Sequence, residues 1–176
     1  MKIKFRKEAG FTLIEMLIVV IVLGILAMII IPQINVSTGE ARLSTMRTNL
    51  STVRNAIELY YHQHNNIYPG AIKTDGSGPT VAADLPLAFT DQMTKYTELN
   101  GKAAGDKATL TAPIFGPYLK SVNLPQNPYN ESNAVVCDIT TTDVTDRTLT
   151  AGGAGWKFFV KTGVFIANDS VANAAY

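Results

Sequence analysis

The chain has 176 residues, 47% of them hydrophobic and 16% charged, and its formal net charge at pH 7 is +1. This length favours one modest globular domain with an additional element. Two observations argue against a nucleic-acid-binding protein. The net charge is nearly balanced, and the basic cluster within residues 2–7 lies beside an apolar segment. Cys137 is the one cysteine, which excludes a disulfide and a cysteine-based zinc site within these residues.

Residues 11–31 form an apolar run, FTLIEMLIVVIVLGILAMIII, with one charge at Glu15. A helix of this length can cross the ~30 Å hydrocarbon core of a membrane. A cleaved secretory signal peptide fits less well, because its apolar core is about 7–15 residues long and ends at a small-residue cleavage site. The basic residues before the run predict a cytoplasmic N-terminus and export of the rest of the chain.

Glu15 is the exceptional residue of this run. A carboxylate costs roughly 2.5–3.5 kcal/mol at the centre of a bilayer and less near its edge. Because Glu15 lies about one helical turn inside the run, its side chain could reach back to the cytoplasmic headgroups. The alternative is that the carboxylate has a function inside the membrane.

The helical pattern continues beyond the apolar run. Pro32 predicts a kink, local melting or the end of the span, and Gly24 weakens the same stretch by about 1 kcal/mol relative to alanine. Residues 32–66 nevertheless predict an amphipathic helix. Its mostly apolar stripe, which we expect to dock on a C-terminal domain, consists of Leu43, Met46, Leu50, Val53, Ile57, Tyr60 and His64.

The remaining residues predict a small β-rich domain. Residues 67–132 are expected to form a connecting loop with a short helix at 87–97. Residues 133–176 are expected to form an antiparallel β-meander and a C-terminal tail, with a hairpin turn at Gly163. The predicted strands cover 133–140, 156–160 and 164–167. The expected fold class is therefore α+β, with a long N-terminal helix, half transmembrane and half amphipathic, packed against a small antiparallel β-sheet.

The segment Gly10-Phe11-Thr12-Leu13-Ile14-Glu15, behind a short basic leader, resembles the cleavage and methylation motif of type IV prepilins and type II secretion pseudopilins. The resemblance continues through the apolar run to Pro32 and implies a pilin-like fold. It also implies that a prepilin peptidase removes residues 1–10 by cutting after Gly10 and methylates Phe11. In this family the glutamate is thought to meet the new amine of a neighbouring subunit during assembly.

The same resemblance implies an assembly role for Gly24 and Pro32. In assembled filaments of the family, the helix between such a glycine and such a proline is often unwound. Three C-terminal pieces look like the major-pseudopilin branch, and a lone cysteine favours that branch over type IV pilins closed by a disulfide. These pieces are residues 116–120 (GPYLK), residues 124–128 (LPQNP), and Gly155-Trp156 followed by residues 162–168 (TGVFIAN).

Calcium is the one cofactor that the resemblance raises. Major pseudopilins often bind calcium in a C-terminal loop, and Asp138, Asp143 and Asp146 lie in the corresponding region. Oxygen ligands at loop spacing suit Ca²⁺, whereas the simpler interpretation is a solvated acidic loop. The sequence leaves both interpretations open.

The resemblance predicts a structural subunit of a type II secretion pseudopilus that polymerises through its N-terminal helix after cleavage and N-methylation. The implied partners are other pilin or pseudopilin subunits, the prepilin peptidase, and an inner-membrane assembly platform with a cytoplasmic ATPase. The expected location is a single pass in the inner membrane, with the C-terminal domain in the periplasm, and then a periplasmic or surface filament.

Two alternatives remain at this stage. One is a type IV pilus pilin used in adhesion, motility or DNA uptake, and the other is a membrane-anchored periplasmic binding domain or enzyme. The sequence offers no Ser/His/Asp constellation, no glycine-rich phosphate loop and no paired catalytic carboxylates. We therefore expect a protein that is not an enzyme.

Overall fold

The computed structural model describes residues 10–176, and the side chains of residues 29–37 lie outside the description. The chain divides into two compact units. The first ends at Ala41, and the second comprises Arg42–Tyr176. In chain order, the helices and strands are α1 (Leu13–Gln63), α2 (Leu85–Thr94), β1 (Tyr96–Glu98), β2 (Ala103–Ala104), β3 (Ile114–Phe115), β4 (Val135–Asp138), β5 (Trp156–Phe159), β6 (Val164–Ala167) and α3 (Val171–Ala174).

The predicted long N-terminal helix is confirmed by α1, which includes Pro32 and is helical on both sides of it. The proline therefore does not end the helix. Its side chain is among those outside the described residues, and unwinding between Gly24 and Pro32 in a filament stays a prediction. The helix ends at Gln63, slightly before the expected boundary at residue 66.

Among the described residues, no helix combines the length and apolarity needed to cross a membrane. The span was predicted for residues 11–31, and the structure does not describe the side chains of the last three of these residues, 29–31.

The apolar stripe of α1 forms one wall of the core of the second unit. Met46, Val53 and Ile57 are fully buried, and Leu50 and Tyr60 are nearly so. They pack in one cluster with side chains from α2, from the 119–124 segment and from the C-terminal sheet. Burying one such apolar side chain stabilises a fold by about 1.5–3 kcal/mol. The three-and-four spacing of this stripe is therefore what joins the helix to the domain.

The region between residues 67 and 132 is more ordered than the predicted loop. Helix α2 begins at Leu85 and ends at Thr94, so the expected helix at 87–97 was misplaced at both ends. Pro86 suits the first turn, where a missing N–H costs nothing. Residues 96–98 instead form β1, the central strand of a small antiparallel sheet in the order β2-β1-β3. Backbone pairing on both edges of β1 outweighs the helical spacing that the sequence shows there.

The C-terminal sheet has the order β4-β5-β6. The hairpin β5–β6 is antiparallel, as predicted, and Gly163 adopts a left-handed conformation with φ +73° in its turn. A side chain at Gly163 would also collide with the ring of Tyr68. Both the backbone conformation and this close contact therefore require glycine. Strand β4, however, pairs parallel with β5, and the expected meander is wrong on this point. The long connection over residues 139–155 allows the parallel crossover.

Both faces of the central strand β5 are covered. Trp156 and Phe158 pack into the core against α1, as their alternation predicts. On the opposite face Phe159 is fully buried and Lys157 is only 4% exposed. Phe159 packs with Ile166, Ala174 and Leu149, which belong to β6, α3 and the 139–155 connection. This connection therefore covers a face of the sheet that the sequence suggests to be open to solvent.

Candidate functional site

The start of α1 holds the predicted processing and assembly residues. Gly10 and Phe11 precede the helix, and the Phe11 side chain is 79% exposed. The Glu15 carboxylate accepts two hydrogen bonds on Oε2, from the backbone N–H of Thr12 at 2.8 Å and from its hydroxyl at 2.6 Å. The Thr12 hydroxyl oxygen in turn accepts from the Glu15 N–H at 3.3 Å.

This reciprocal pair is a capping box, in which a Ser or Thr and the Glu three residues later satisfy each other's free N–H groups. Thr12 is a helix-capping residue that the sequence interpretation missed, although the T-x-x-E spacing before an apolar run predicts such a cap. Both hydrogen bonds to the Glu15 carboxylate are accepted by Oε2, and the other carboxylate oxygen, Oε1, takes no part in the capping box. Glu15 therefore helps to begin the helix while keeping one oxygen for a further partner.

The apolar surface that follows is uncovered. Every residue from Gly10 to Met28 is exposed, including Leu13 at 85% and Met28 at 79%. Around Gly24 an added side-chain carbon would meet no atom within 4 Å, so packing within the described chain does not require a glycine there. A contiguous apolar surface of this kind marks an interaction with lipid or with other protein.

The three aspartates considered for calcium each close a turn of their own. Asp138 accepts from the N–H and hydroxyl of Thr140, both at 2.7 Å. Asp143 accepts from Thr145 N–H at 2.8 Å, and Asp146 from Thr148 N–H at 2.7 Å. The pattern Asp-x-Thr therefore occurs three times, and it is the sequence signal for such side-chain-capped turns.

Among the described residues, no group of three or more His, Cys, Asp or Glu side chains could hold a metal ion. Burial raises the pKa of Asp138, but the hydrogen bonds from Thr141 and Thr140 outweigh this and hold it below its usual range. The Thr145 hydroxyl and N–H lower the pKa of Asp143 in the same way. Each carboxylate thus serves a turn of its own, Asp138 with both oxygens and Asp143 and Asp146 with Oδ1, and among the described residues they do not come together in a group that could hold a calcium ion.

A second network holds the 124–134 segment against the sheet. The fully buried Asn127 donates from Nδ2 to Gly155 O at 2.9 Å and to Asp169 Oδ1 at 2.7 Å. Trp156 donates from its indole nitrogen to Pro125 O at 2.7 Å. A side chain at Gly155 would collide with the carbonyl of Ser132. These contacts bring together the pieces at 124–128 and 155–156, which are far apart in the sequence.

Comparison with known proteins gives one family model and three curated relatives. Residues 5–31 match the family described as the prokaryotic N-terminal methylation motif. The chain is 36% identical over 66 residues to the type II secretion system core protein G of Vibrio cholerae, covering 38% of this chain and 44% of that protein. It is 34% identical over 55 residues to the protein of the same name from Pseudomonas aeruginosa, covering 31% and 39%. The Aeromonas hydrophila protein of that name is 33% identical over 64 residues, covering 36% and 44%.

The resemblance inferred from the Gly10–Glu15 motif is confirmed by these matches. The chain spans less than half the length of each of these curated relatives. No solved structure matches the chain.

Proposed function

We propose that this protein is a structural subunit of a type II secretion pseudopilus. In this proposal a prepilin peptidase removes residues 1–10 and methylates Phe11, and the subunit then polymerises through the first half of α1. The observation that carries the proposal is the uncovered apolar surface from Gly10 to Met28, interrupted by the single carboxylate of Glu15. Such a surface suits lipid before assembly and neighbouring helices after it.

The proposed partners and location follow from the same surface. The basic residues before the apolar run support a cytoplasmic N-terminus, with the second unit exported to the periplasm. The partners would be further subunits, the peptidase, and an inner-membrane platform with a cytoplasmic ATPase. The names of the similar proteins support this assignment. The role is structural, and we assign no catalytic residue.

Glu15 is the proposed assembly residue. The cut after Gly10 would create an amine on Phe11, and the carboxylate of a neighbouring subunit would pair with it and set the axial register. Removing one partner of a charge pair in an apolar environment costs about 3–5 kcal/mol, because the other charge is left uncompensated. The capping box does not oppose this pairing, since it uses only Oε2.

Substitutions can separate the charge of Glu15 from its capping role. Glutamine at the third helical position still accepts the capping bond, so Glu15→Gln keeps the helix start and loses the charge. We expect Glu15→Gln to reduce the yield of sheared filaments at least about tenfold. Thr12→Val, which breaks the box and keeps the charge, should reduce it less. Glu40→Gln, an exposed change further along α1, is the matched control.

Mass spectrometry of the N-terminus, on protein from its native membrane, tests the processing. A fragment beginning with methylated Phe11 is expected, and an intact Met1 in the presence of the peptidase would contradict the proposal. Filament assembly by Glu15→Gln at the level of Glu40→Gln would show that the charge is not required. Short periplasmic filaments, rather than long surface fibres, are expected in shear fractions, and long fibres would favour a type IV pilus.

A further inference from the structure

Lys157 lies at an unusual position for a lysine. It is on the central strand β5, opposite Val136 of β4 and Ile166 of β6, on the face of the sheet turned away from α1. Lysine is rarely buried so completely unless its charge is compensated. The side chain of Lys157 is nevertheless only 6% exposed.

The Lys157 ammonium makes several contacts with the connection that covers this face. It donates to the Thr148 carbonyl at 2.9 Å and to the Thr148 hydroxyl at 3.4 Å. Its nitrogen lies 3.8 Å from Oδ2 of Asp138 and 4.6 Å from the centre of the Phe159 ring. The ammonium therefore connects Asp138 at the end of β4, Thr148 in the 139–155 connection and Phe159 of the sheet.

Two of the three loop carboxylates are linked to this ammonium. Asp138 pairs with it directly, and Asp146 is joined to it through Thr148, whose N–H donates to Asp146 and whose carbonyl accepts from Lys157. A calcium ion needs six to eight oxygen ligands at about 2.3–2.6 Å. Here both oxygens of Asp138 already accept from threonines, and a divalent cation near Asp138 would be repelled by the ammonium.

We propose that the Lys157 ammonium is the resident cation of the 139–155 connection, in the structural role that the family resemblance gave to calcium. This covalently attached charge, together with the Arg147 guanidinium that donates to the carbonyls of Val144 and Asp146, then orders the acidic loop over the sheet, and the domain keeps its fold without a divalent cation. This inference concerns the C-terminal domain alone and does not depend on filament assembly. The role of Lys157 can therefore be refuted while the proposed function stands. Likewise, the proposed function can be refuted while the role of Lys157 stands.

The first arm of the test uses the unaltered full chain in detergent. Its Tm is measured in 10 mM CaCl₂ and in EDTA at equal ionic strength, and the two values should agree within about 1 °C. A calcium site with a Kd of about 10⁻⁴ M would raise Tm by about 5–10 °C under these conditions. An increase of that size would overturn the proposal, and this arm needs no variant to fold.

The second arm compares lysine variants by hydrogen exchange. Lys157→Met keeps the aliphatic length and removes the charge, and it should speed exchange of the amides of Thr140, Thr145 and Thr148 at least about tenfold. Lys157→Arg, which keeps a cation, should retain most of their protection. Lys161→Met is the matched control, because Lys161 is exposed in the neighbouring hairpin turn. Equal exchange in Lys157→Met and Lys161→Met would refute the role of the ammonium.

Discussion

His64 closes the buried stripe of α1 and lies among aromatic side chains. Its ring stacks on Tyr60 with centroids 3.7 Å apart, and the rings of Phe115 and Tyr118 meet it edge-on at 5.2 and 6.2 Å. Nδ1 lies 2.9 Å from the Tyr60 carbonyl, so the neutral ring with a proton on Nδ1 donates there. Burial lowers the pKa of His64, although the carbonyls of Tyr60 and Glu98 partly oppose the shift.

This environment predicts that the domain loses stability on mild acidification. The unfolded imidazole takes up a proton below about pH 6.5, whereas the folded ring resists it, so the stabilising effect is present above that pH and is lost as the pH falls towards the folded pKa. In denaturant unfolding, His64→Phe should have a flatter dependence between pH 7.5 and 5.5. At pH 7.5 its stability should stay within about 1 kcal/mol of the unaltered chain, because the loss of the Nδ1 bond is offset by removal of the buried Nε2, which has no hydrogen-bond partner among the described residues.

His62→Phe is the control for this prediction, since His62 is exposed on the same turn of α1. It should keep the pH dependence of the unaltered chain. Equal slopes in His64→Phe and in the unaltered chain would show that His64 does not cause the acid sensitivity.

Cys137 is the other residue whose environment determines its behaviour. Burial raises the pKa of its thiol to about 12. Little thiolate, the reactive form of a cysteine, is therefore present, and the thiol is inert. The side chain of Cys137 packs from β4 against the core. Its sequence neighbour Asp138 belongs to the loop network instead, so adjacent residues of one strand have separate roles.

At the scale of elements, α2 organises the loops around it through one buried side chain. Gln92 accepts from Gly70 N–H at 2.7 Å and donates to the carbonyls of Ile72 and Gly101 at 2.9 and 2.7 Å. The 70–72 segment and the turn after β1 are thereby fixed to the same point of the helix. Gly101 itself has a φ of +86°, which suits the tight turn.

We expect Gln92→Leu to lower the free energy of unfolding by about 3 kcal/mol. The substitution leaves three backbone groups without their partner in a buried site, and each unsatisfied group costs about 1–3 kcal/mol before the loops relax. Gln126→Leu, at an exposed position, should change stability by no more than about 0.5 kcal/mol. Chemical denaturation of both variants measures the difference, and equal midpoints would contradict the role of Gln92.

The elements differ in how much of them the sequence could predict. The buried stripe of α1 and the alternation of Trp156 and Phe158 follow from helical and strand periodicity, and both lie where expected. The parallel pairing of β4 could not be predicted, because strand order depends on contacts between distant residues. The burial of Lys157 has the same cause, since a lysine in an alternating strand suggests an exposed face until the covering loop is known.

For the candidate site the sequence proposes residue types, and the structure supplies their geometry. Gly10, Phe11 and Glu15 follow from the motif, and the T-x-x-E spacing also contained the capping role of Thr12. The three aspartates suggested a cation, but their threonine partners two residues later determine how the carboxylates are used. Local side-chain bonds within a loop compete directly with metal binding, and composition alone does not show which one prevails.

At the scale of the whole molecule, the boundary between the two units lies within α1 at residues 41 and 42. Helix residues after this boundary supply one wall of the core of the second unit. A fragment of residues 42–176 should therefore fold by itself, with a cooperative thermal transition followed by circular dichroism. The apolar segment that we assign to membrane and filament is not needed for this folding.

A shorter fragment provides the contrast. Residues 65–176 lack the buried stripe, whose five largest apolar contributions, at about 1.5–3 kcal/mol each, match the whole stability of an ordinary domain. This fragment should show no cooperative transition and should bind hydrophobic dyes. Cooperative folding of residues 65–176 would mean that α1 is an accessory to the domain and not part of its core.

The capping box at the start of α1 has an electrostatic consequence for a subunit cut after Gly10, as proposed. Only Phe11 would then precede the capped first turn, because the box begins with the N–H of Thr12. The new amine would carry its positive charge next to the positive end of the helix macrodipole, an unfavourable arrangement of about 0.3–1 kcal/mol before any burial. The Glu15 carboxylate of the same chain already offsets part of this repulsion from within the cap, and an anion from a neighbouring subunit would relieve it further. Cleavage would thus leave each tip with one cation and one anion, and polymerisation would let each of them pair with the opposite charge of a neighbouring subunit.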